Sequence, residues 1–198
     1  MTPKTLSLAA AVLGLAVVLV VGLVQLGRST PPPAPAPVHV TLAQMRASLS
    51  GSTPRLASLH AQAGEVLSGG LPALRARLAA LRGEPIVVNK WASWCQPCRS
   101  EFGVFQRVSL AEGRAVAFLG IDSEEPNRAD AVSFLRSFPV SYPSYYDKSG
   151  QAGVAITDSS STPVTVFYDR SGRIYIHQGP YPSVAKLEED VRRYALGA

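Results

Sequence analysis

Cysteine and histidine are scarce in this chain, and their scarcity bounds its chemistry before any motif is read. It has two cysteines and three histidines in 198 residues. A structural zinc site wants four ligands, and His39, His60 and His177 stand at no ligand spacing to the cysteines, so no metal site is expected. No cysteine is left over for a structural disulfide either. Basic runs are missing too: the formal net charge is +5, but the arginines are scattered and no aromatic pattern is interleaved with them. Nucleic acid is therefore not an expected partner, and the charge belongs to solvated surface or to a weak attraction for anionic headgroups. With no internal repeat and no G-x-G-x-x-G, a nucleotide-binding fold has no support, and no cofactor is expected.

Charge is absent altogether from residues 6–26, a run of Leu, Val, Ala and Gly broken only by Ser7 and Gln25. At about 1.5 Å per residue the run crosses a hydrocarbon layer of about 30 Å, which predicts an N-terminal transmembrane helix. The competing reading is a cleaved secretory signal. Its apolar core is usually roughly 7 to 15 residues, and the one small-x-small candidate, Ala34-Pro35-Ala36, is embedded in prolines. No cysteine lies nearby, which excludes a lipid anchor on cysteine. Five prolines in residues 30–37 rule out helix interior and favour a semi-rigid extended spacer; a disordered linker would serve the same purpose. The expected division is a cytoplasmic tip and anchor over 1–28, a Pro-rich linker over 29–53 and a folded domain over 54–198, in which 54–82 is a helical extension. Lys4 on one side and Arg28 and Arg46 on the other leave the positive-inside count undecided.

Both cysteines lie in Trp91-Ala92-Ser93-Trp94-Cys95-Gln96-Pro97-Cys98-Arg99, directly after the apolar run Ile86-Val87-Val88-Asn89. A buried strand leading into C-x-x-C sets the first sulfur at the mouth of the following helix. Unpaired N–H groups and the positive helix end there favour a thiolate, lowering a cysteine pKa from about 8.5 to somewhere between roughly 3.5 and 7.5. Cys95 is thus the expected attacking sulfur and Cys98, one turn further in, the resolving one, the two forming a redox-active disulfide. Such a pair suits an oxidising space outside the cytoplasm, which places the domain on the extracytoplasmic side of a single-pass anchor in the cell membrane.

Hydrophobic periodicity orders the rest. Ala, Leu and Arg at helical spacing over 56–82 predict two short helices. The cysteine helix continues over 99–110. Residues 115–122 form an apolar run suited to a central parallel strand, with Asp122 at its carboxyl end. A helix capped by Asn127 spans 128–138 and is ended by Pro139. Residues 142–147 form an edge strand or a loop, and 153–156 a turn of helix. Runs at 164–168 and 173–177 flank a turn and read as a hairpin. Val184, Leu187, Val191 and Tyr194 mark a closing helix. This order gives an α/β fold, a mixed central sheet sandwiched by helices, in a thioredoxin-like sequence of elements.

On the stretch from Val87 through Trp91, Trp94, Cys95, Pro97 and Cys98 to Glu101, and again on Thr162-Pro163 to Asp169, the chain resembles the membrane-anchored thioredoxin-like proteins of the TlpA, ResA and CcmG type. The resemblance covers about Arg82 to the C terminus. It implies an outward-facing domain that exchanges disulfides in exported clients, often reducing the cysteines of apocytochrome c. It also implies that Pro163 follows a cis bond beside the active disulfide, leaving the backbone of Thr162 free for an extended client; an ordinary strand-starting proline is the plainer alternative. Glu101 matches an acidic residue kept near the pair, where a partly buried carboxylate would raise the thiol pKa values and could relay a proton to Cys98; a solvent-facing helix glutamate is the alternative. Asn89 stands where cytoplasmic thioredoxins have a buried aspartate and cannot act as a base. Lys90, in place of an aromatic residue, and Ser159-Ser160-Ser161-Thr162 before the proline depart from the family. Trp94 is expected to meet clients and Trp91 to pack in the core.

Several functions compete. A Cys95–His177 hydrolase fails because Cys98 would trap the nucleophile, and a peroxidase has no need of a second cysteine at this spacing. An oxidase that inserts disulfides differs from a reductase only in reduction potential, where about 30 mV is worth about 1.4 kcal/mol. A non-catalytic, chaperone-like client-binding module needs neither thiol. The favoured expectation is a reductase whose recycling requires a membrane electron donor, or an oxidant if the direction is reversed.

Overall fold

The structure, a computed structural model, describes residues 39–198. The transmembrane segment expected at 6–26, the cytoplasmic tip and the linker as far as residue 38 lie outside the described residues. Among the described residues no helix is long and apolar enough to cross a membrane.

Thirteen elements are labelled here in chain order: α1 (Leu42–Ser48), α2 (Pro54–His60), β1 (Val66–Leu67), α3 (Gly70–Ala80), β2 (Ile86–Trp91), α4 (Gln96–Glu112), β3 (Ala117–Ser123), α5 (Arg128–Ser137), β4 (Ser144–Asp147), α6 (Gln151–Thr157), β5 (Val164–Tyr168), β6 (Ile174–Gln178) and α7 (Val184–Asp190), which runs on into a π-helical turn, Val191–Leu196. The six strands form one sheet in the order β1-β4-β3-β2-β5-β6. β1, β4, β3 and β2 run parallel; at the other side β5 pairs antiparallel with β2, and β6 antiparallel with β5. This is the mixed, thioredoxin-like sheet that the element order implied.

β2 is the central strand, and all six of its residues are buried because β3 and β5 cover its edges and helices cover both faces. Strand alternation assigns its side chains. Val87 and Trp91 belong to a core built with Phe102 and Phe105 of α4, Phe134 of α5 and Leu187 of α7. Ile86 and Val88 belong to a second core with Leu56, Leu59, Leu74 and Ala152 from α2, α3 and α6. Trp91 meets Phe102 edge-on at 4.9 Å between centroids, and Phe102 meets Phe134 likewise at 4.6 Å, arrangements favoured by the ring quadrupoles. The indole N–H of Trp91 donates to Ser144 Oγ at 3.1 Å, so the first aromatic of the motif is fixed from two directions.

The structure corrects several expected boundaries. Residues 56–82 hold a two-residue strand, β1, between their helices, and Gly69, at φ +103°, turns the chain into α3. β1 pairs outside β4, so the 142–147 segment is a strand inside the sheet rather than an edge or a loop. α1 falls inside the stretch expected as linker: Thr41 and Gln44 form a capping box, and Met45 is buried. The hairpin's second strand begins one residue later than expected.

Candidate active site

The site begins at the carboxyl end of β2, where Trp91 hands over to a short loop and Cys95 becomes the N-cap of α4. Pro97 fits the first helical turn because its missing N–H would have no intrahelical partner there. Cys95 and Cys98 are joined as a disulfide. Cys98 is fully buried and Cys95 almost so. The backbone N–H of Cys98 points at Cys95 Sγ, 3.2 Å away, so the sulfur at the helix mouth receives a donor together with the positive end of the helix.

Two loops flank Cys95. On one side, the Thr162–Pro163 peptide bond is cis, and the carbonyl oxygen of Thr162 lies 3.8 Å from Cys95 Sγ. On the other, Trp94 is 55% exposed and its indole N–H donates to the Glu124 carbonyl at 3.1 Å. The Ser93 N–H donates to Glu125 Oε2 at 2.8 Å, and Arg99 donates to the Ser93 carbonyl at 2.9 Å while lying over the Phe134 ring. The loop before the cysteines is therefore held by the β3–α5 connection and by its own helix.

Glu101 is completely buried. One carboxyl oxygen accepts from the Asn89 side chain at 3.0 Å, the other from the Tyr181 backbone N–H at 2.8 Å. Burial pushes its pKa up to about 8 against the opposing pull of those two hydrogen bonds, which keeps it mostly protonated at neutral pH. The Asn89 amide can serve either state: it donates to a carboxylate and, turned by 180°, accepts from a carboxylic acid. A second buried carboxyl, Asp122, sits at the end of β3. Burial first, and the neighbouring carboxylate of Glu125 second, raise its pKa to about 8, with Arg128 acting against them.

Tyr181 and Glu125 are the contributors that sequence reasoning missed. Tyr181 acts through its backbone from eighty residues away, a contact with no local signal. His177, weighed as a hydrolase partner, instead stacks on Tyr181 at 4.2 Å, with Nδ1 3.9 Å from Asp190. Among the described residues no group of three or more His, Cys, Asp and Glu could hold a metal ion.

No family model matches the sequence. Individual proteins do. The thiol:disulfide interchange protein DsbE of Pseudomonas fluorescens biotype C is 37% identical over 97 residues, 48% of this chain and 52% of that protein. The thiol-disulfide oxidoreductase ResA of Bacillus subtilis is 27% identical over 101 residues, 50% of this chain and 55% of that protein. The chain thus spans about half the length of the curated relatives it matches. Among solved structures, a secreted Mycobacterium tuberculosis disulfide oxidoreductase described as homologous to E. coli DsbE superposes with a TM-score of 0.53 at 25% identity, covering 58% of this chain and 85% of that one. In sequence and in fold, the chain is a relative of the ResA- and DsbE-type thioredoxin-like thiol–disulfide oxidoreductases.

Proposed function

We propose that the protein is a membrane-tethered thiol–disulfide oxidoreductase that works outside the cytoplasm and reduces disulfides in exported clients such as apocytochrome c. The observation that carries this reading is the Cys95–Cys98 pair at the mouth of α4 with a buried carboxyl, Glu101, three residues further along the same helix. The tether rests on the uncharged apolar run at 6–26.

In this reading the reduced Cys95 thiolate attacks one sulfur of a client disulfide. A mixed disulfide forms and the first client thiolate leaves and takes a proton. Cys98, deprotonated, then attacks Cys95 Sγ; the second client sulfur leaves as a thiolate and is protonated, and the Cys95–Cys98 disulfide is closed. Two electrons have passed to the client, and a membrane dithiol donor must return them. With a pKa of about 8, only the minority of Glu101 that is ionised at neutral pH can accept the Cys98 proton, a fraction that grows towards pH 8, and its charge, once formed, disfavours the thiolates. Trp94 and the Thr162 backbone offer a flat apolar contact and a free carbonyl to an extended client.

The test uses the full chain. Cys98→Ser should accumulate a covalent adduct with a disulfide-bonded client peptide, visible by mass and released by dithiothreitol, and Cys95→Ser should form none. The equilibrium potential of the wild type then gives direction. A value near or below that of thioredoxin, about −270 mV, supports the reductase; one near DsbA, about −120 mV, turns the reading to disulfide insertion. No adduct and no reversible couple would leave a non-catalytic client-binding module.

A further inference from the structure

Lys90 is a charged side chain in the middle of the central strand, and it is fully buried (0% exposed). A buried ammonium must be both paired and hydrogen-bonded to be tolerated. Its Nζ donates to the Ser159 carbonyl at 2.9 Å, and the carboxylates of Glu124 and Asp147 supply the opposing charge: burial lowers the Lys90 pKa and those two raise it.

The surroundings are shaped for it. Gly153 of α6 leaves room for the aliphatic stem, since a Cβ there would stand 2.8 Å from Lys90 Cε and 2.3 Å from Ser123 Oγ. The Gly153 N–H and the Ser123 hydroxyl both donate to Asp147 Oδ2, at 2.7 and 3.2 Å, which fixes the counter-charge. The Thr157 hydroxyl lies 2.8 Å from the Gly153 carbonyl and 3.1 Å from the same Ser159 carbonyl that Lys90 holds.

Ser159 stands three residues before Thr162, whose carbonyl approaches Cys95 Sγ. Lys90 and the Ser159-Ser160-Ser161-Thr162 approach to the proline are thus joined by one hydrogen bond.

We infer that Lys90 is a positioning residue for extended clients, fixing the Thr162–Pro163 wall of the site through Ser159. The inference rests on the oxidoreductase reading above and deepens it. A client that lays a peptide along that wall depends on Lys90 for binding, while a small disulfide that reaches only the sulfur depends on it far less.

The experiment uses the pre-reduced full chain in single turnover, followed by tryptophan fluorescence, with two substrates: a disulfide-bonded C-x-x-C peptide of about ten residues and 2-hydroxyethyl disulfide. Lys90→Met should raise the half-saturating peptide concentration roughly tenfold, the size expected for a lost charge-assisted hydrogen bond, with the limiting rate little changed. The loss on the peptide should exceed the loss on the small disulfide at least about fivefold. If circular dichroism finds Lys90→Met unfolded, Thr157→Val, which removes the hydroxyl 3.1 Å from the Ser159 carbonyl, should give a smaller rise of about threefold. Equal losses on both substrates, or an unchanged half-saturating concentration in a folded variant, would overturn the inference and leave the oxidoreductase reading standing. A wild type that reduces neither substrate would sink that reading and this inference together.

Discussion

Replacing Glu101 by Gln tests the central electrostatic claim, and its sign can be worked out in advance. The native protein holds the Glu101 proton up to about pH 8, whereas the unfolded chain releases it near 4.5. Between those values the folded state binds more protons than the unfolded one, so stability is greatest below 4.5 and falls as pH rises through 8. The interval of about three and a half pH units amounts to roughly 5 kcal/mol in all and roughly 3 kcal/mol by pH 7. Gln carries no such term. It can also keep both contacts, accepting from the Tyr181 N–H and donating to Asn89 once that amide is turned.

Glu101→Gln should therefore match the wild type within about 1 kcal/mol at pH 4.5 and become progressively more stable towards pH 8, after which the difference levels off. Urea unfolding of the full oxidised chain at pH 5, 6, 7, 8 and 9, followed by the fluorescence of buried Trp91, measures it. A difference that stays flat across this range would refute the reasoning, because it would mean that Glu101 ionises in the folded state as readily as in the unfolded chain.

Two other substitutions separate binding from architecture. Trp94→Ala removes a side chain that is 55% exposed, so its unfolding free energy should move by no more than about 0.5 kcal/mol while affinity for a client peptide, measured by titration, falls about tenfold. Gly120→Ala acts the other way: the new Cβ would stand 2.1 Å from Ser144 Oγ and 2.8 Å from Trp91 Nε1, breaking the bond between them. The expected loss is about 3 kcal/mol, read as a drop of roughly 6 to 12 °C in Tm, and a loss under about 1 kcal/mol would contradict the packing described here.

Most of the fold could be read from the sequence because its signals are local. The continuous apolar runs of β2 and β3, the Asn127 cap of α5 and the turn between β5 and β6 each depend on neighbours within a few residues. β1 could not be read that way. Two residues, Val66 and Leu67, become a strand only because Ser144 and Tyr145 pair with them, and that pairing also moves β4 into the sheet's interior. α1 did carry a local signal, the Thr41-x-x-Gln44 capping box, masked by the prolines before it. The site divides the same way. Cys95, Pro97 and Cys98 announce themselves by spacing. The burial of Glu101 depends on Tyr181, and the role inferred for Lys90 depends on Ser159, sixty-nine residues away in the chain.

The direction of electron flow turns on which environment dominates at the two sulfurs. A thiolate-stabilising site favours the dithiol and makes an oxidant. Here the stabilising side consists of the helix end and the Cys98 N–H at 3.2 Å. A helix end is worth up to about 2 kcal/mol even in a favourable, partly buried geometry, equivalent to about 40 mV for a two-electron couple. The interval from thioredoxin to DsbA is about 150 mV, or roughly 7 kcal/mol, so that contribution alone falls well short of an oxidant. The remaining neighbours add little to it. The Thr162 carbonyl facing Cys95 is an acceptor and cannot solvate a thiolate, Arg99 is directed to the Ser93 carbonyl and the Phe134 ring, and both sulfurs are withdrawn from water. Burial disfavours a thiolate, and so does any charge that forms on Glu101. The balance of these terms supports the reductase reading.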